Sequence, residues 1–115
     1  MRIEKFTVKV REVLLSAEEL AAQLKHSVID VEHLMLALLR QPESLAIPLL
    51  RKVEVNPAAI EKALADDLNK QPKITGEIRR SISTRVEQVL TKANELAEQS
   101  GDEYITVGHL LLALA

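Results

Sequence analysis

The stretch HSVIDVEHLMLALL, residues 26–39, recurs as DEYITVGHLLLALA at residues 102–115, 76 positions further along the chain. Aligning residues 10–39 with residues 86–115 at this offset needs no gap, and fifteen of the thirty pairs are identical. Two unrelated amphipathic helices do not share half of their residues, so the repeat indicates duplication of an ancestral unit. The fold is therefore expected to consist of two similar halves.

Each copy begins with the apolar spacing of an amphipathic helix. Apolar residues recur at i, i+3, i+4 and i+7 over residues 10–24, and the same spacing runs over residues 86–97. Thr7 and Ser83 precede these runs and are the predicted N-caps. Gly101 follows the second run, where a left-handed residue commonly ends a helix.

A second helix follows in each copy, and the residues at its start follow the same pattern in both copies. Asp30 and Thr106 are the predicted N-caps, one residue after Ile29 and Ile105. Each isoleucine can reach the leucine at the fourth helical position, which is the geometry of a hydrophobic staple. The quoted stretch is thus a helix entrance followed by a buried helix.

Two shorter helices are predicted between the copies, over residues 44–53 and 57–68. Pro48 is compatible with the first of them only near its first turn. Asn56 is the predicted cap of the other, with Pro57 at its first position. Residues 70–82 lack an apolar period and contain proline and glycine, so they are expected to form a linker.

These elements predict an all-α fold, a pseudo-twofold duplicated helical bundle in one domain. Repeat one covers residues 1–69, the linker residues 70–82, and repeat two residues 83–115. The first copy continues into two further helices, whereas the second stops at Ala115 inside its apolar helix. The chain is therefore expected to be part of a longer protein.

Composition restricts the possible functions. Apolar residues make up 47% of the chain, but Phe6 and Tyr104 are its only aromatic residues, so the core is expected to consist of Leu, Val, Ile and Ala. The absence of cysteine fits a reducing compartment such as the cytoplasm. Neither a secretory signal nor a membrane-spanning segment is expected, because the N-terminal residues are interrupted by charge and no apolar run reaches membrane length. A net charge of −2 does not favour a nucleic-acid partner.

His33 and His109 occupy the same repeat position and raise the question of a metal or catalytic site. A zinc site needs further ligands close by, and Glu32 points about 100° away around the helix. Gly108 stands at the position equivalent to Glu32, so the second copy lacks that carboxylate. Structural histidines packed at the helix starts are favoured, with a ligand or a base as minor alternatives. No metal or cofactor is expected.

The remaining polar residues carry no recognisable enzymatic motif. The serines lack the setting of an activated nucleophile, and the adjacent acidic pairs resemble solvated helix faces. None of the three glycines is followed by lysine, as a phosphate-binding loop requires. The chain is therefore not expected to be an enzyme. What remains is the seam between the halves, which could be closed core or an apolar groove for peptide segments.

The motifs FTVKVREVL at 6–14, IDVEHLMLALL at 29–39 and DEYITVGHLLLAL at 102–114 resemble the duplicated N-terminal domain of Clp ATPases. The resemblance covers essentially the whole chain, and the linker LNKQPKITG at 68–76 is most similar to the ClpB disaggregase branch. It implies a non-catalytic domain of a hexameric AAA+ unfoldase that binds unfolded or aggregated clients. The fragment itself is expected to be monomeric.

The resemblance also implies a set of binding residues. Thr7 and Asp102 match polar positions of the family's client-binding surface, and Leu90 matches an apolar groove position. His109 and Lys92 stand where some members have apolar residues, which implies a narrower or more polar groove. Gly108 stands where a glutamate is often present, so this chain lacks that acidic side chain.

Two alternative functions stay open at this point. The domain could dock one folded adaptor, as in the ClpA and ClpC branches of the family. It could also be a structural or regulatory domain that packs on the ATPase ring.

Overall fold

The computed structural model describes residues 3–76 and 79–115. Within these ranges the chain forms six α-helices, a short 3₁₀ helix at Ile3–Lys5 and two two-residue strands. The helices are α1 (Val8–Gln23), α2 (Val31–Arg40), α3 (Ala46–Lys52), α4 (Pro57–Lys70), α5 (Thr84–Gln99) and α6 (Val107–Leu114). The strands are β1 (Val28–Ile29) and β2 (Ser81–Ile82). The predicted all-α class is confirmed.

The predicted helix N-caps are confirmed at the atomic level. The Thr7 side chain accepts a hydrogen bond from the Val10 amide at 3.3 Å, and its repeat counterpart Ser83 accepts from Val86 at 3.0 Å. Asn56 accepts from the Ala58 amide at 3.0 Å. Asp30 and Thr106 likewise cap α2 and α6. Each cap satisfies an amide that the first turn of a helix leaves without an intrahelical partner.

The ends of α1 and α5 also repeat. Gly101 has φ +71°, as predicted for a left-handed residue, and Lys25 at the equivalent position has φ +59°. The next amides, of His26 and Asp102, donate to the carbonyls of Ala21 and Ala97 at 2.9 and 2.8 Å. This is the Schellman arrangement that closes a helix C-terminus.

Three predicted boundaries were wrong by a few residues. Helix α3 begins at Ala46 rather than at residue 44, because the Ser44 hydroxyl accepts from the Ala46 amide at 3.2 Å and bonds the Leu38 carbonyl. Helix α4 extends to Lys70, beyond residue 68. The predicted linker therefore starts later, and it ends in β2 rather than in irregular chain.

The two halves are joined by reciprocal backbone pairing. β1 and β2 pair in parallel with Ile29 opposite Ile82, and an isolated parallel bridge joins Phe6 to Ile105. Because Phe6 and Ile82 are repeat equivalents, as are Ile29 and Ile105, the second pairing is the first with the halves exchanged. The Thr7 amide donates to the Ile105 carbonyl at 3.1 Å, and Ser83 donates to Ile29 at 3.0 Å. This exchange is the pseudo-twofold relation that the duplication predicted.

The core lies where the four repeated helices meet. Helix α1 packs on α2, and α5 packs on α6. One buried cluster draws on both halves and consists of Phe6, Val10, Val13, Ala17, Leu34, Ala37, Leu38, Ala93, Ala97, Ile105, Val107 and Leu110. Apart from Phe6 it contains only aliphatic side chains, as the composition predicted. The duplicated faces are therefore buried against each other.

Candidate functional site

An open apolar groove runs along the seam between the halves. It has a volume of about 320 Å³, and Arg11 and Glu18 supply its charged side chains. Its apolar lining comes from both halves and consists of Phe6, Leu14, Leu15, Ala17, Ile29, Leu34, Ile82, Val86 and Leu90. Two pairs in this lining, Phe6 with Ile82 and Leu14 with Leu90, are repeat equivalents. The groove therefore lies across the pseudo-twofold axis.

The groove is accessible because its lining is only partly buried. Leu15 is 56% exposed and Ile82 is 42% exposed, whereas Leu34 at the base is almost fully buried. Exposed aliphatic side chains arranged around a concavity are typical of a binding surface. Leu90, predicted from the resemblance to face a groove, lies in this lining.

Thr7 lies in a second concavity, of about 710 Å³, on the neighbouring surface. The starts of α1 and α6 meet there, so Thr7 and Val8 lie near Thr106 and Gly108. Phe6 lines the groove at the seam, so the two concavities meet at consecutive residues. The structure thus brings Thr7 and Gly108 together and places Leu90 in the adjacent groove.

A third concavity, of about 390 Å³, lies between α2, α3 and the end of α6. Its lining is almost wholly aliphatic and includes Met35, Leu49, Val53, Leu111 and Leu114. Sequence reasoning did not single out this surface. The signal available to it was the apolar content of residues 45–53, which exceeds what one side of a seven-residue helix can bury.

Asp102 and His109 form a hydrogen-bonded pair at the start of α6. The Thr106 amide donates to His109 Nδ1 at 2.9 Å, so this nitrogen carries no proton and Nε2–H donates to Asp102 Oδ2 at 3.0 Å. The Asp102 side chain is 51% exposed, whereas the His109 side chain is only 10% exposed. Sequence analysis predicted both as binding residues. The geometry places His109 behind Asp102, where it holds the carboxylate.

The first half has the same arrangement with a different partner. The Asp30 amide donates to His33 Nδ1 at 2.9 Å, and His33 Nε2 lies 2.8 Å from His26 Nδ1. His26 and Asp102 are repeat equivalents, each seven residues before its histidine. The structural interpretation of His33 and His109 is confirmed, since both complete a capping box at the start of their helix.

The two buried rings differ electrostatically from free histidine. Burial lowers the pKa of His33, and the neighbouring His26 lowers it further, while Asp30 and Glu32 act in the opposite direction. Burial also lowers the pKa of His26, with a further contribution from Lys73, while the Leu68 carbonyl raises it. Both rings are therefore neutral near pH 7. Sequence reasoning missed His26 as a partner, although its repeat equivalence to Asp102 was a usable signal.

Across residues 3–76 and 79–115, no three His, Asp or Glu side chains come together to hold a metal ion. In the same ranges, no helix is long and apolar enough to cross a membrane.

The reciprocal pairing, the duplicated capping boxes and the apolar seam define a double helical repeat. The model of the Clp repeat (R) N-terminal domain matches residues 5–115, and the chain belongs to this family. This domain is not the catalytic part of Clp proteins. Among curated proteins, the chain is 33% identical over 119 residues to the chaperone protein ClpB of Bacillus cereus, and 38% identical over 112 residues to that of Chlamydia pneumoniae.

Solved structures agree with this assignment. The Hsp104 N-terminal domain from Candida albicans matches with a TM-score of 0.82 and 31% identity, over 96% of this chain and 73% of that one. The N-terminal domain of ClpV1 ATPase from E. coli EAEC matches with a TM-score of 0.86 and 29% identity, over 96% of this chain and 68% of that one. The chain spans 14% of the length of the Bacillus cereus ClpB and 13% of the Chlamydia pneumoniae protein.

Proposed function

We propose that this chain is the client-binding N-terminal domain of a ClpB-like AAA+ disaggregase. The observation that carries the proposal is the open apolar groove across the pseudo-twofold axis, with Leu14 and Leu90 as equivalent walls. In this proposal the groove holds apolar segments of unfolded or aggregated proteins. The full-length protein is then a hexameric ATPase of the cytoplasm, and the 115-residue domain is a monomer.

The groove's chemistry favours loose recognition of many sequences. Aliphatic walls gain free energy from any apolar side chain that they remove from water, at about 25 cal/mol per Å². An unfolded client loses conformational freedom on binding, which cancels much of this gain. Affinity for one domain is therefore expected to be weak, and several copies in a ring would raise it through effective concentration.

The polar residues in this proposal form the rim of the binding surface. Thr7 lies one residue from Phe6 in the groove lining, and its hydroxyl also caps α1. Asp102 presents a half-exposed carboxylate fixed by His109, which acts as a positioning residue. Lys92 is exposed on α5, near Leu90 in sequence, and adds a positive charge to that helix.

The test is an NMR titration of the ¹⁵N-labelled chain with reduced, carboxymethylated α-lactalbumin, a soluble unfolded protein. We expect amide shifts around Phe6, Leu14 and Leu90. Disulfide-intact α-lactalbumin is the matched control, because it has the same sequence but buries its apolar residues. Shifts of equal size with both probes, or none along the groove, would contradict the proposal.

A pair of variants distinguishes binding in the groove from non-specific binding to exposed leucines. Leu15→Ser removes a groove side chain that is 56% exposed, and Leu112→Ser removes one that is 64% exposed and lies outside the groove lining. Losing a partly buried leucine contact costs about 1–2 kcal/mol, so Leu15→Ser is expected to weaken binding about five- to thirtyfold. Leu112→Ser is expected to leave it unchanged. Equal weakening by both variants would indicate non-specific adhesion.

A second candidate function is docking of one folded adaptor, and the third concavity favours it. Leu49 of α3 and Val53, the residue after this helix, are exposed beside this aliphatic surface, away from the groove at the seam. A folded partner would bind there with one-to-one stoichiometry and higher affinity, independently of unfolded clients. Leu49→Ser would then abolish adaptor binding, whereas Leu15→Ser would not.

A further inference from the structure

The hydrogen bonds around His26 and His33 fix where each ring carries its proton. The Asp30 amide donates to His33 Nδ1, so that nitrogen is unprotonated and the His33 proton lies on Nε2. His33 Nε2–H then donates to His26 Nδ1 across 2.8 Å. The His26 proton is consequently on Nε2. The Asp30 amide and the two neutral rings thus form one continuous series of hydrogen bonds at the start of α2.

An additional proton on either ring would disrupt this series of hydrogen bonds. On His33 Nδ1 it would face the Asp30 N–H, and on His26 Nδ1 it would face the His33 N–H. Two N–H groups pointing at each other repel, so proton uptake requires one of the two hydrogen bonds to break. The ring of His33 is fully buried, which prevents water from replacing the lost partner.

The second half places a carboxylate where the first half has a second ring. His109 Nε2–H donates to the Asp102 carboxylate at 3.0 Å, and His109 Nδ1 accepts from the Thr106 amide at 2.9 Å. The two halves therefore share the contact at Nδ1 and differ in the residue that accepts from Nε2–H.

The charged groups around the pair come from three segments. On the α2 side, Asp30 and Glu32 favour a proton on His33, but both carboxylates lie within 3.6 Å of Arg85 Nη1 on α5. From the linker, Lys73 opposes a positive charge on His26, and the Arg80 side chain donates to the His26 carbonyl at 3.0 Å. Helix α4 contributes the Leu68 carbonyl. The basic groups thus offset the two carboxylates.

The segment that carries His26 also anchors the linker. The Ile74 amide donates to the Lys25 carbonyl at 2.9 Å, and the Ser81 amide donates to the Ser27 carbonyl at 3.2 Å. These carbonyls flank His26, so a displaced His26 ring acts directly on both contacts. The parallel pairing of β1 with β2 begins at the next residue.

We propose that the His26–His33 pair is an acid-sensitive latch, in which uptake of one proton breaks one of the pair's two hydrogen bonds and loosens the linker from the first half. Since both folded-state pKa values lie below the ordinary value of 6.5, the unfolded chain takes up protons first. The stabilisation is therefore complete above about pH 6.5 and is lost as the pH falls toward the lowered values. Each histidine lowers the folded-to-unfolded ratio by up to about tenfold per pH unit in that window.

The amides of Asp30 and Ile74 report on the two parts of this latch, because Asp30 donates to His33 and Ile74 donates to the Lys25 carbonyl. We expect ¹H–¹⁵N spectra from pH 8 to pH 5 to show a large shift and reduced exchange protection at Asp30, with Ile74 following. An Asp30 amide that is unaffected down to pH 5 would overturn the latch, and so would an Ile74 amide that keeps its full protection through the Asp30 step.

A matched pair of variants tests the role of the histidine pair. His26→Asn keeps a hydrogen-bond acceptor for His33 Nε2–H but removes the ring that lowers the pKa of His33, so the acid step at Asp30 is expected to move to higher pH. Asp102→Asn makes a similar change at the equivalent position and is expected to leave the Asp30 step intact. An unaltered Asp30 step in His26→Asn would refute the proposal. If His26→Asn does not fold, the wild-type responses of Asp30 and Ile74 decide the question.

Discussion

Leu36 and Leu112 are the same residue at the same repeat position, yet Leu36 is 1% exposed and Leu112 is 64% exposed. The difference follows from the elements around them. Helix α4 packs against α2, and Leu68 of α4 is completely buried. Leu112 on α6 instead faces solvent. The same leucine therefore contributes differently to the free energy of unfolding in the two halves.

This difference predicts unequal effects of one substitution. Leu36→Ala removes a fully buried side chain and leaves a cavity, so it is expected to lower the free energy of unfolding by about 2–5 kcal/mol. Leu112→Ala is expected to change it by less than about 0.5 kcal/mol. Urea unfolding followed by circular dichroism measures both. Comparable losses would show that Leu112 is buried in solution.

A second prediction concerns the left-handed residues that end α1 and α5. Lys25 has φ +59° and carries a Cβ in a conformation that glycine adopts without strain. Lys25→Gly is expected to raise the free energy of unfolding by about 0.5–1 kcal/mol, and Gly101→Ala to lower it by about 1 kcal/mol. Thermal unfolding of the two variants checks the opposite signs. A destabilised Lys25→Gly would mean that the lysine side chain makes a compensating contact.

A third prediction uses Gly108, in the first turn of α6. A Cβ there would meet only the Thr106 hydroxyl oxygen at 3.5 Å, so a side chain fits. Gly108→Glu is expected to stabilise the domain by about 1 kcal/mol, through helix propensity and the favourable charge at a helix N-terminus. It would also add a negative charge beside Thr7.

Gly108→Gln is the matched control, since it has the same shape without the charge. Both variants are expected to gain stability, but only the glutamate variant should bind positively charged clients more tightly than wild type. The comparison uses fluorescence anisotropy with one basic and one acidic unfolded peptide. Equal affinities of both variants for both peptides would remove this position from the binding surface.

A fourth prediction separates the two roles of Thr7. Thr7→Ala removes the hydroxyl that caps α1 and is expected to cost about 1 kcal/mol of stability, whereas Thr7→Ser keeps the cap. If Thr7 contacts clients through its hydroxyl, binding falls only in Thr7→Ala at temperatures where both variants are folded. Weaker binding in both variants would assign the contact to the methyl group. Unchanged binding in both would restrict Thr7 to capping.

Local sequence signals predicted much of this fold correctly. The caps at Thr7 and Ser83 and the left-handed turn at Gly101 depend on atoms within a few residues of each other, so the residue types suffice to predict them. The start of α3 was predicted wrongly because the Ser44 hydroxyl bonds the Leu38 carbonyl. A contact to the preceding helix, rather than local preference, determines that boundary.

The candidate site was only partly predictable. The resemblance indicated Leu90 as a groove residue, and the structure places it in the lining at the seam. The resemblance assigned Asp102 and His109 to one binding surface, but in the fold the His109 ring lies behind the Asp102 carboxylate. The His26–His33 contact was missed because a hydrogen bond between rings depends on how the chain turns after α1.

By itself, the sequence determined that the protein is a duplicated helical repeat, because periodic apolar faces and caps repeat along the chain and act over single turns. Only the tertiary structure decided that the seam stays open, that Leu112 is exposed while Leu36 is buried, and that His26 rather than a carboxylate faces His33. These outcomes depend on which distant segments pack together. Burial and charge at a position are set by those neighbours, which identical repeat sequences do not share.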